Sequence, residues 1–137
     1  MNELPFVLVG RVIHGKQLGS QLGFPTANIA YDPADRSWPP EGVYAGLAEI
    51  DGDPARYVTV LNQGRHPTAP GGMPTVEAHL LDYTGGPLYD RKLRLTYCHF
   101  LRPETRFPTL EALKQQLIHD CAAARRWADS ALPPPQA

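Results

Sequence analysis

A glycine-rich segment near the start of the chain provides the first residues whose types and spacing could do chemistry. Gly10, Gly15, Gly19 and Gly23 fall within fourteen residues. Glycine lets the backbone approach a ligand closely, and unpaired N–H groups in such loops bind phosphate oxygens. The spacing matches neither the Walker A loop nor the dinucleotide fingerprint. Two interpretations therefore stay open: a phosphate-binding loop, or a set of glycines that only shape β-turns.

Thr26 and Asn28 follow this segment, in the run Pro25-Thr26-Ala27-Asn28. In an extended backbone, side chains two residues apart project to the same face. A hydroxyl and an amide oxygen are hard ligands that suit Mg²⁺, which completes its shell with waters and substrate phosphates. The alternative is a turn in which both side chains bond to nearby backbone.

Glu77 is a candidate functional residue in an alternating segment that reads as a strand. Glu77 and His79 would share one face of that strand, and Val76, Ala78 and Leu80 the other. If the apolar set faces the core, Glu77 faces either a cleft at the mouth of the barrel or solvent, and an exposed glutamate on a strand is normally only a solvated residue.

Arg102 lies between the last predicted strand and the predicted helix. It could bind a phosphate bidentately or form an ion pair with Glu104, and both interpretations stay open. Cys98 and Cys121 lack the spacing of a zinc site, so two buried free thiols are expected. The order of a nucleophile elbow with a Ser-His-Asp triad is also missing.

The elements that must position these residues are mostly strands. Apolar and alternating runs predict strands over residues 6–13, 43–50, 56–62, 75–82 and 92–100, with loops over 29–40 and 63–74. Thr109 is a good N-cap, and an apolar stripe at spacings of three and four predicts one helix after it. These elements predict a mainly β fold, a small antiparallel barrel closed or plugged by the terminal helix.

Composition limits the class of protein. The chain has 137 residues, 15 prolines and a formal net charge of −1. One domain over residues 1–128 and a flexible proline-rich tail over 129–137 are expected. Neither nucleic acid nor an anionic membrane is an expected partner, since both favour basic surfaces. The first residues do not resemble a signal peptide, so a cytoplasmic location is expected. A monomer is also expected.

Taken together, these motifs resemble the riboflavin kinase (flavokinase) family. The residues that carry the resemblance are Gly10-Arg-Val-Ile-His-Gly15 with Gly19; Leu22-Gly-Phe-Pro-Thr-Ala-Asn28; Gly42-Val-Tyr44; Asn62-Gln-Gly64 with Pro67-Thr68; Val76-Glu-Ala-His-Leu-Leu-Asp82; Leu88-Tyr89; Phe100-Leu-Arg-Pro-Glu104 with Phe107; and Leu110-Glu-Ala-Leu113, Gln116-Leu-Ile118, Asp120 and Ala124-Arg125. The match runs in order over most of the chain, and the set is far more specific than any one piece.

The resemblance implies a six-stranded antiparallel Greek-key barrel with a C-terminal helix, which makes FMN from riboflavin and ATP. It implies that Thr26 and Asn28 hold the Mg²⁺ of the nucleotide and that Glu77 is the catalytic base, in contact with the flavin substrate. It also implies that Arg102 lies on a loop closing around the flavin and its phosphate. The residues expected at the nucleotide are Gly10, Gly15, Gly19, Ser20, Gly23, Pro25, Thr26 and Asn28. The alternative function is a non-catalytic flavin-binding or regulatory module.

The sequence departs from the family pattern in three respects. Asp90 stands where the family usually has glycine, at a turn where a positive φ would be less comfortable for it. Ser20 and Gln21 replace a stretch that often carries an arginine, which would weaken a phosphate contact. Bacterial members usually carry an adenylyltransferase domain before this module, and these 137 residues contain none, so FAD synthesis is not expected of them.

Overall fold

The computed structural model describes residues 4–13, 26–31, 34, 38–67 and 74–131. Its elements are β1 (Phe6–Arg11), β2 (Thr26–Ala30), β3 (Gly42–Ile50), β4 (Arg56–Pro67), β5 (Pro74–Leu80), β6 (Lys92–Arg102) and α1 (Leu110–Ala131). The predicted mainly β fold with a C-terminal helix is therefore confirmed.

All six strands belong to one antiparallel sheet, in the order β1-β6-β3-β4-β5-β2. The stretch β6-β3-β4-β5 is a Greek key, because the fourth strand returns beside the first of three consecutive ones. The two edges of the sheet meet at a bridge in which the Ile13 N–H donates to the Asn28 carbonyl at 2.8 Å. The sheet thus curves into a barrel.

The inner face of the sheet holds the main core. Leu93, Leu95 and Tyr97 of β6 are buried there, as their alternation predicts. The Tyr97 hydroxyl donates to Gln63 Oε1 at 2.7 Å, and Gln63 Nε2 donates to the Pro39 carbonyl at 2.8 Å. The polar groups of this part of the core therefore have partners, and burial of the apolar side chains contributes about 1.5–3 kcal/mol each.

The helix packs on the outer face, so the expectation that it closes or plugs the barrel is wrong. A second buried cluster lies on the outer face, where Val43, Ala45 and Val60 alternate with inner-face residues. It is completed by Leu81, which follows β5, and by Ala124 of α1. These apolar side chains on the outer face would otherwise be exposed to water. The apolar stripe of the helix packs over them and buries them.

The helix begins where the sequence predicts and ends later than predicted. The Thr109 Oγ1 accepts a hydrogen bond from the Ala112 N–H at 3.0 Å, so the predicted N-cap is confirmed. The helix continues to Ala131, three residues into the predicted tail, because Ala128 extends the buried stripe by one further turn. Residues 132–137 lie outside the described part. Within that part, the helix lacks the apolar length to cross a membrane.

Two loop predictions were wrong. The predicted loop over 29–40 begins inside β2, where Ile29 is buried, because a short strand among Gly and Pro residues leaves little periodic signal. The predicted loop over 63–74 begins inside β4, which reaches Pro67 and pairs it with Pro74 after a register shift. Irregular pairing of this kind breaks the alternation on which the prediction depends.

Asp90 adopts a φ of 64°, as its position in place of a family glycine suggests. Its N–H donates to the Val12 carbonyl at 2.9 Å, and its carbonyl accepts from Arg11 Nη1 at 2.9 Å. Aspartate is among the few side chains that tolerate this region. The turn after β5 therefore keeps a left-handed geometry without glycine.

Candidate functional site

Five strands place one residue each in a single line across the outer face. The register pairs Asn28 of β2 with Glu77 of β5, and Glu77 with Asn62 of β4. The line continues from Asn62 to Val43 of β3 and from Val43 to Arg102 of β6. Directly paired residues share a face, and neighbouring strands lie about 4.8 Å apart. We call these five residues the outer row.

Asn28 is the most unusual member of the outer row. It is fully buried, and both of its amide atoms lack a hydrogen-bond partner among the residues that the structure describes. An unsatisfied buried polar group costs about 1–3 kcal/mol, so such a position is suited to bind something else. Thr26 lies two residues away on the same face and is half-buried. A hydroxyl oxygen next to a buried amide oxygen fits a Mg²⁺ ion whose other ligands are phosphates and waters.

Glu77 faces outward beside Asn28, on the face that the strand alternation predicts. Its carboxylate is 21% exposed, and Oε1 lies 3.1 Å from Nε2 of His79, which is 2% exposed. Val76 and Ala78 lie on the opposite face, in the core. With Nε2 protonated, His79 donates to the carboxylate and holds it in one orientation.

Arg102 ends β6 and is held by the helix. Its Nε and Nη2 donate to the two carboxylate oxygens of Asp120 at 2.9 and 2.8 Å. Asp120, which is 3% exposed, also accepts from Gln116 Nε2 at 2.9 Å. The guanidinium carbon lies 5.6 Å from the centre of the Phe107 ring. The partner of Arg102 is therefore Asp120, and the predicted alternative of a pair with Glu104 is not what the structure contains.

A cavity of about 510 Å³ opens between the outer face, the helix and the loop before it. Its apolar walls include Val43, Val60, Phe107, Leu113 and Leu117. Its polar lining includes Asn62, His79, Arg102, Glu104 and Asp120. A cavity of this size with apolar walls and a few polar groups is typical of a site for a small molecule or cofactor.

The predicted site residues fall into four groups. Thr26, Asn28 and Glu77 come together on two paired strands. Arg102 lies three strands away from Glu77, at the far end of the outer row. Gly10 belongs to β1, where a Cβ would come within 2.7 Å of Ile29, so its lack of a side chain lets the sheet edges meet. The predicted nucleotide-binding residues Gly15, Gly19, Ser20, Gly23 and Pro25 lie outside the described residues.

Three residues that line the cavity do not stand out from the sequence alone: His79, Asn62 and Asp120. The alternation puts His79 beside Glu77 but predicts no function for it, and Asn62 is only one residue of a longer motif. Asp120 carried a usable signal, because it falls in the buried stripe between Leu117 and Ala124. A carboxylate in an apolar stripe needs a partner.

Neither cysteine is among the residues that line this cavity. Cys98 and Cys121 are free and only partly buried, less than the prediction of two buried thiols required. Burial raises the pKa of Cys121 to about 11 and also raises the pKa of Cys98. Both are therefore protonated, weakly reactive thiols at neutral pH.

Comparison with known proteins agrees with the resemblance. A family model described as "Flavokinase: Riboflavin kinase" matches residues 2–128. A bifunctional riboflavin kinase/FMN adenylyltransferase from Pseudomonas fluorescens is 46% identical over 122 residues, which cover 88% of this chain. The matched region is 38% of that relative, so this chain corresponds to well under half of its length.

Two solved structures have the same fold. A riboflavin kinase from Trypanosoma brucei superimposes with a TM-score of 0.67 at 25% identity, covering 93% of this chain and 79% of its own. A protein from Streptococcus pneumoniae described as a macrolide-efflux protein gives a TM-score of 0.74 at 27% identity, covering 90% of this chain and 39% of its own. With the family match over nearly its whole length, the chain belongs to the riboflavin kinase family.

Proposed function

We propose that this chain is an ATP:riboflavin 5′-phosphotransferase, which transfers the γ-phosphate of ATP to the ribityl 5′-hydroxyl of riboflavin and gives FMN. One observation carries the proposal: Glu77, held by His79, stands between Asn28 and Asn62 in the outer row. The buried amide of Asn28 has no hydrogen-bond partner among the described residues, and Asn62 lines the cavity. A module that only bound flavin would need the cavity but neither the oriented carboxylate nor the unpartnered amide.

The cavity suits a flavin in one orientation. The apolar ring system fits the side formed by Val43, Val60, Leu113 and Leu117, where burial of apolar surface favours binding. Arg102 lies on this side, held in place by Asp120. The polar side leads past Asn62 and His79 towards Glu77. The reacting hydroxyl then lies next to the base while the ring stays near the helix.

Glu77 is the general base of the proposed reaction. His79 Nε2 holds Oε1, which leaves Oε2 to accept the proton of the 5′-hydroxyl. As that oxygen bonds to the γ-phosphorus, the bond from the γ-phosphorus to the bridging oxygen breaks and ADP leaves. General base catalysis of this kind contributes about 10²–10⁴-fold to the rate. Because phosphoryl transfer requires mainly positioning and charge neutralisation, a fixed carboxylate beside the hydroxyl is what the protein must supply.

Thr26 and Asn28 would hold the Mg²⁺ that accompanies ATP. When bound, that ion neutralises charge on the phosphates. The ligand atoms would be the hydroxyl oxygen of Thr26 and the amide oxygen of Asn28. The assignment is supported by the buried Asn28 amide, which has no hydrogen-bond partner among the described residues. The glycines from Gly10 to Gly23 would cover the phosphates, as the family resemblance implies. A cytoplasmic location and a monomeric state stay predictions.

The experiment is to incubate the protein with riboflavin, ATP and Mg²⁺ and to look for FMN by chromatography. We expect FMN with Mg²⁺, no FMN with excess chelator, and ATP among the effective nucleotides in a panel. Riboflavin binding without FMN under every condition would contradict the proposal and favour the flavin-binding module. Size-exclusion chromatography of the same sample tests the expected monomer.

A further inference from the structure

Asn62 is a polar residue of the cavity with no role in the mechanism above. It is half-buried, lines the cavity, and stands in the outer row between Glu77 and Val43. Within the described part of the chain, its side chain makes no hydrogen bond. An amide that is free in a cavity can both donate and accept there.

The position of Asn62 is set by the register. Opposite residues on paired strands have Cβ atoms about 4.5–5.5 Å apart, so Asn62 is one strand spacing from the base and one from the apolar wall at Val43. A flavin whose ring lies on the apolar side and whose reacting hydroxyl lies at Glu77 must cross β4 with its polyol chain. Hydroxyl groups of the polyol chain that lay over β4 without partners would lose the hydrogen bonds that they make in water.

We propose that Asn62 binds hydroxyl groups in the middle of the ribityl chain and thereby directs the terminal hydroxyl to Glu77. Asn62 is then a substrate-binding residue that distinguishes a flavin with a polyol chain from one without. This inference rests on the proposed function for the placement of the flavin in the cavity.

The test compares two ligands that share a ring. Riboflavin carries the ribityl chain, and lumiflavin carries a methyl group in its place. For Asn62→Ala we expect the Kd of riboflavin to rise about 3- to 10-fold, the usual range for one neutral hydrogen bond, with the Kd of lumiflavin changed by less than about twofold. Asn62→Leu, which keeps the volume without the hydrogen bonds, should behave in the same way. Gln115→Ala is the control, because Gln115 is exposed on the helix and bonds to Glu111.

The outcomes separate this inference from the proposed reaction. Equal weakening of both ligands, or a change below about twofold for riboflavin, overturns the role of Asn62. Unchanged lumiflavin binding also shows that the variant keeps an intact cavity. A parent protein that binds riboflavin without forming FMN overturns the reaction alone, since the affinity comparison needs no turnover. A parent protein that binds neither flavin overturns both.

Discussion

The two faces of β5 have opposite character. On the inner face, Val76, Ala78 and Leu80 are at most 1% exposed and pack in the main core. On the outer face, Glu77 and His79 form a polar pair beside the unpartnered amide of Asn28. The inner face is therefore a packed apolar core. The outer face contains buried polar atoms that have no hydrogen-bond partner among the described residues. In the proposed reaction, alternate residues of this one strand therefore serve stability and chemistry separately.

The outer face has one half that the helix covers and another that carries the residues of the proposed reaction. Under the helix, Arg102 and Asp120 form a buried bidentate pair, whereas Asn28 and Glu77 lie beyond the helix-covered cluster. A second bidentate pair, Arg125 with Asp82 at 2.8 and 3.0 Å, is exposed to solvent. The same type of Arg–Asp ion pair therefore occurs once under the helix and once in solvent. We expect substitution to destabilise the protein much more at the pair under the helix.

The largest effect on stability is expected at Asp120. Asp120→Ala leaves the Arg102 guanidinium without its buried partner, and breaking such a pair costs about 3–5 kcal/mol. The free energy of unfolding from urea denaturation should fall by that amount. A loss below about 1 kcal/mol would mean that the pair contributes no more than a surface pair, and the division of the outer face would be wrong.

The proposed metal ligands should show the opposite combination. Asn28→Ala removes a buried amide that has no hydrogen-bond partner among the described residues. Stability should therefore stay constant or rise, while turnover at limiting Mg²⁺ falls about 10²-fold. Thr26→Ala should also lower turnover at limiting Mg²⁺. The measurements are FMN formation against Mg²⁺ concentration and thermal unfolding. If both variants turn over like the parent at limiting Mg²⁺, the assignment of the metal site is wrong.

Arg102 tests where the flavin ring lies. Arg102→Gln should weaken riboflavin and FMN by similar amounts, about 1.5 kcal/mol, because the guanidinium is on the side of the cavity away from Glu77. Binding of both ligands can be followed by flavin fluorescence. A much larger loss for FMN would place the phosphate at Arg102 and reverse the proposed orientation.

The smallest effect is expected for the exposed pair. Arg125 holds the pKa of Asp82 below its usual value through hydrogen bonding and charge. A lowered folded-state pKa contributes stability above the ordinary carboxyl range, and that contribution is lost as pH falls through the folded pKa. Arg125→Ala should therefore differ slightly from the parent near neutral pH and low salt, and the two should converge in acid and in high salt. A difference as large as that for Asp120→Ala would contradict the comparison.

The sequence predicted those features that depend on local periodicity. The alternation of Leu93, Leu95 and Tyr97, the outward face of Glu77 and the cap at Thr109 all follow from spacing within a few residues. It did not predict β2, whose five residues are too short for a periodic signal. Nor did it find the partner of Arg102, because Asp120 is 18 residues away and meets it only when the helix docks.

The outer row was beyond sequence reasoning for a related reason. Asn28, Glu77 and Asn62 come from three strands, and only the register of those strands places them in line. A shift of one residue in either pairing would turn one of them to the core. Local patterns predict which face a residue occupies, but which residues meet across strands depends on the fold.

In the proposed reaction, the outer face of β5 carries the catalytic base and the inner face stabilises the fold. Glu77 and Val76, neighbours on opposite faces of this strand, test that division most directly. Turnover to FMN and the free energy of unfolding should be measured for Glu77→Gln and Val76→Ala. We expect Glu77→Gln to lose about 10²–10⁴-fold in kcat with stability within about 0.5 kcal/mol of the parent. We expect Val76→Ala to lose roughly 2 kcal/mol of stability with kcat within about twofold of the parent. A folded Glu77→Gln protein that makes FMN as fast as the parent would contradict the account.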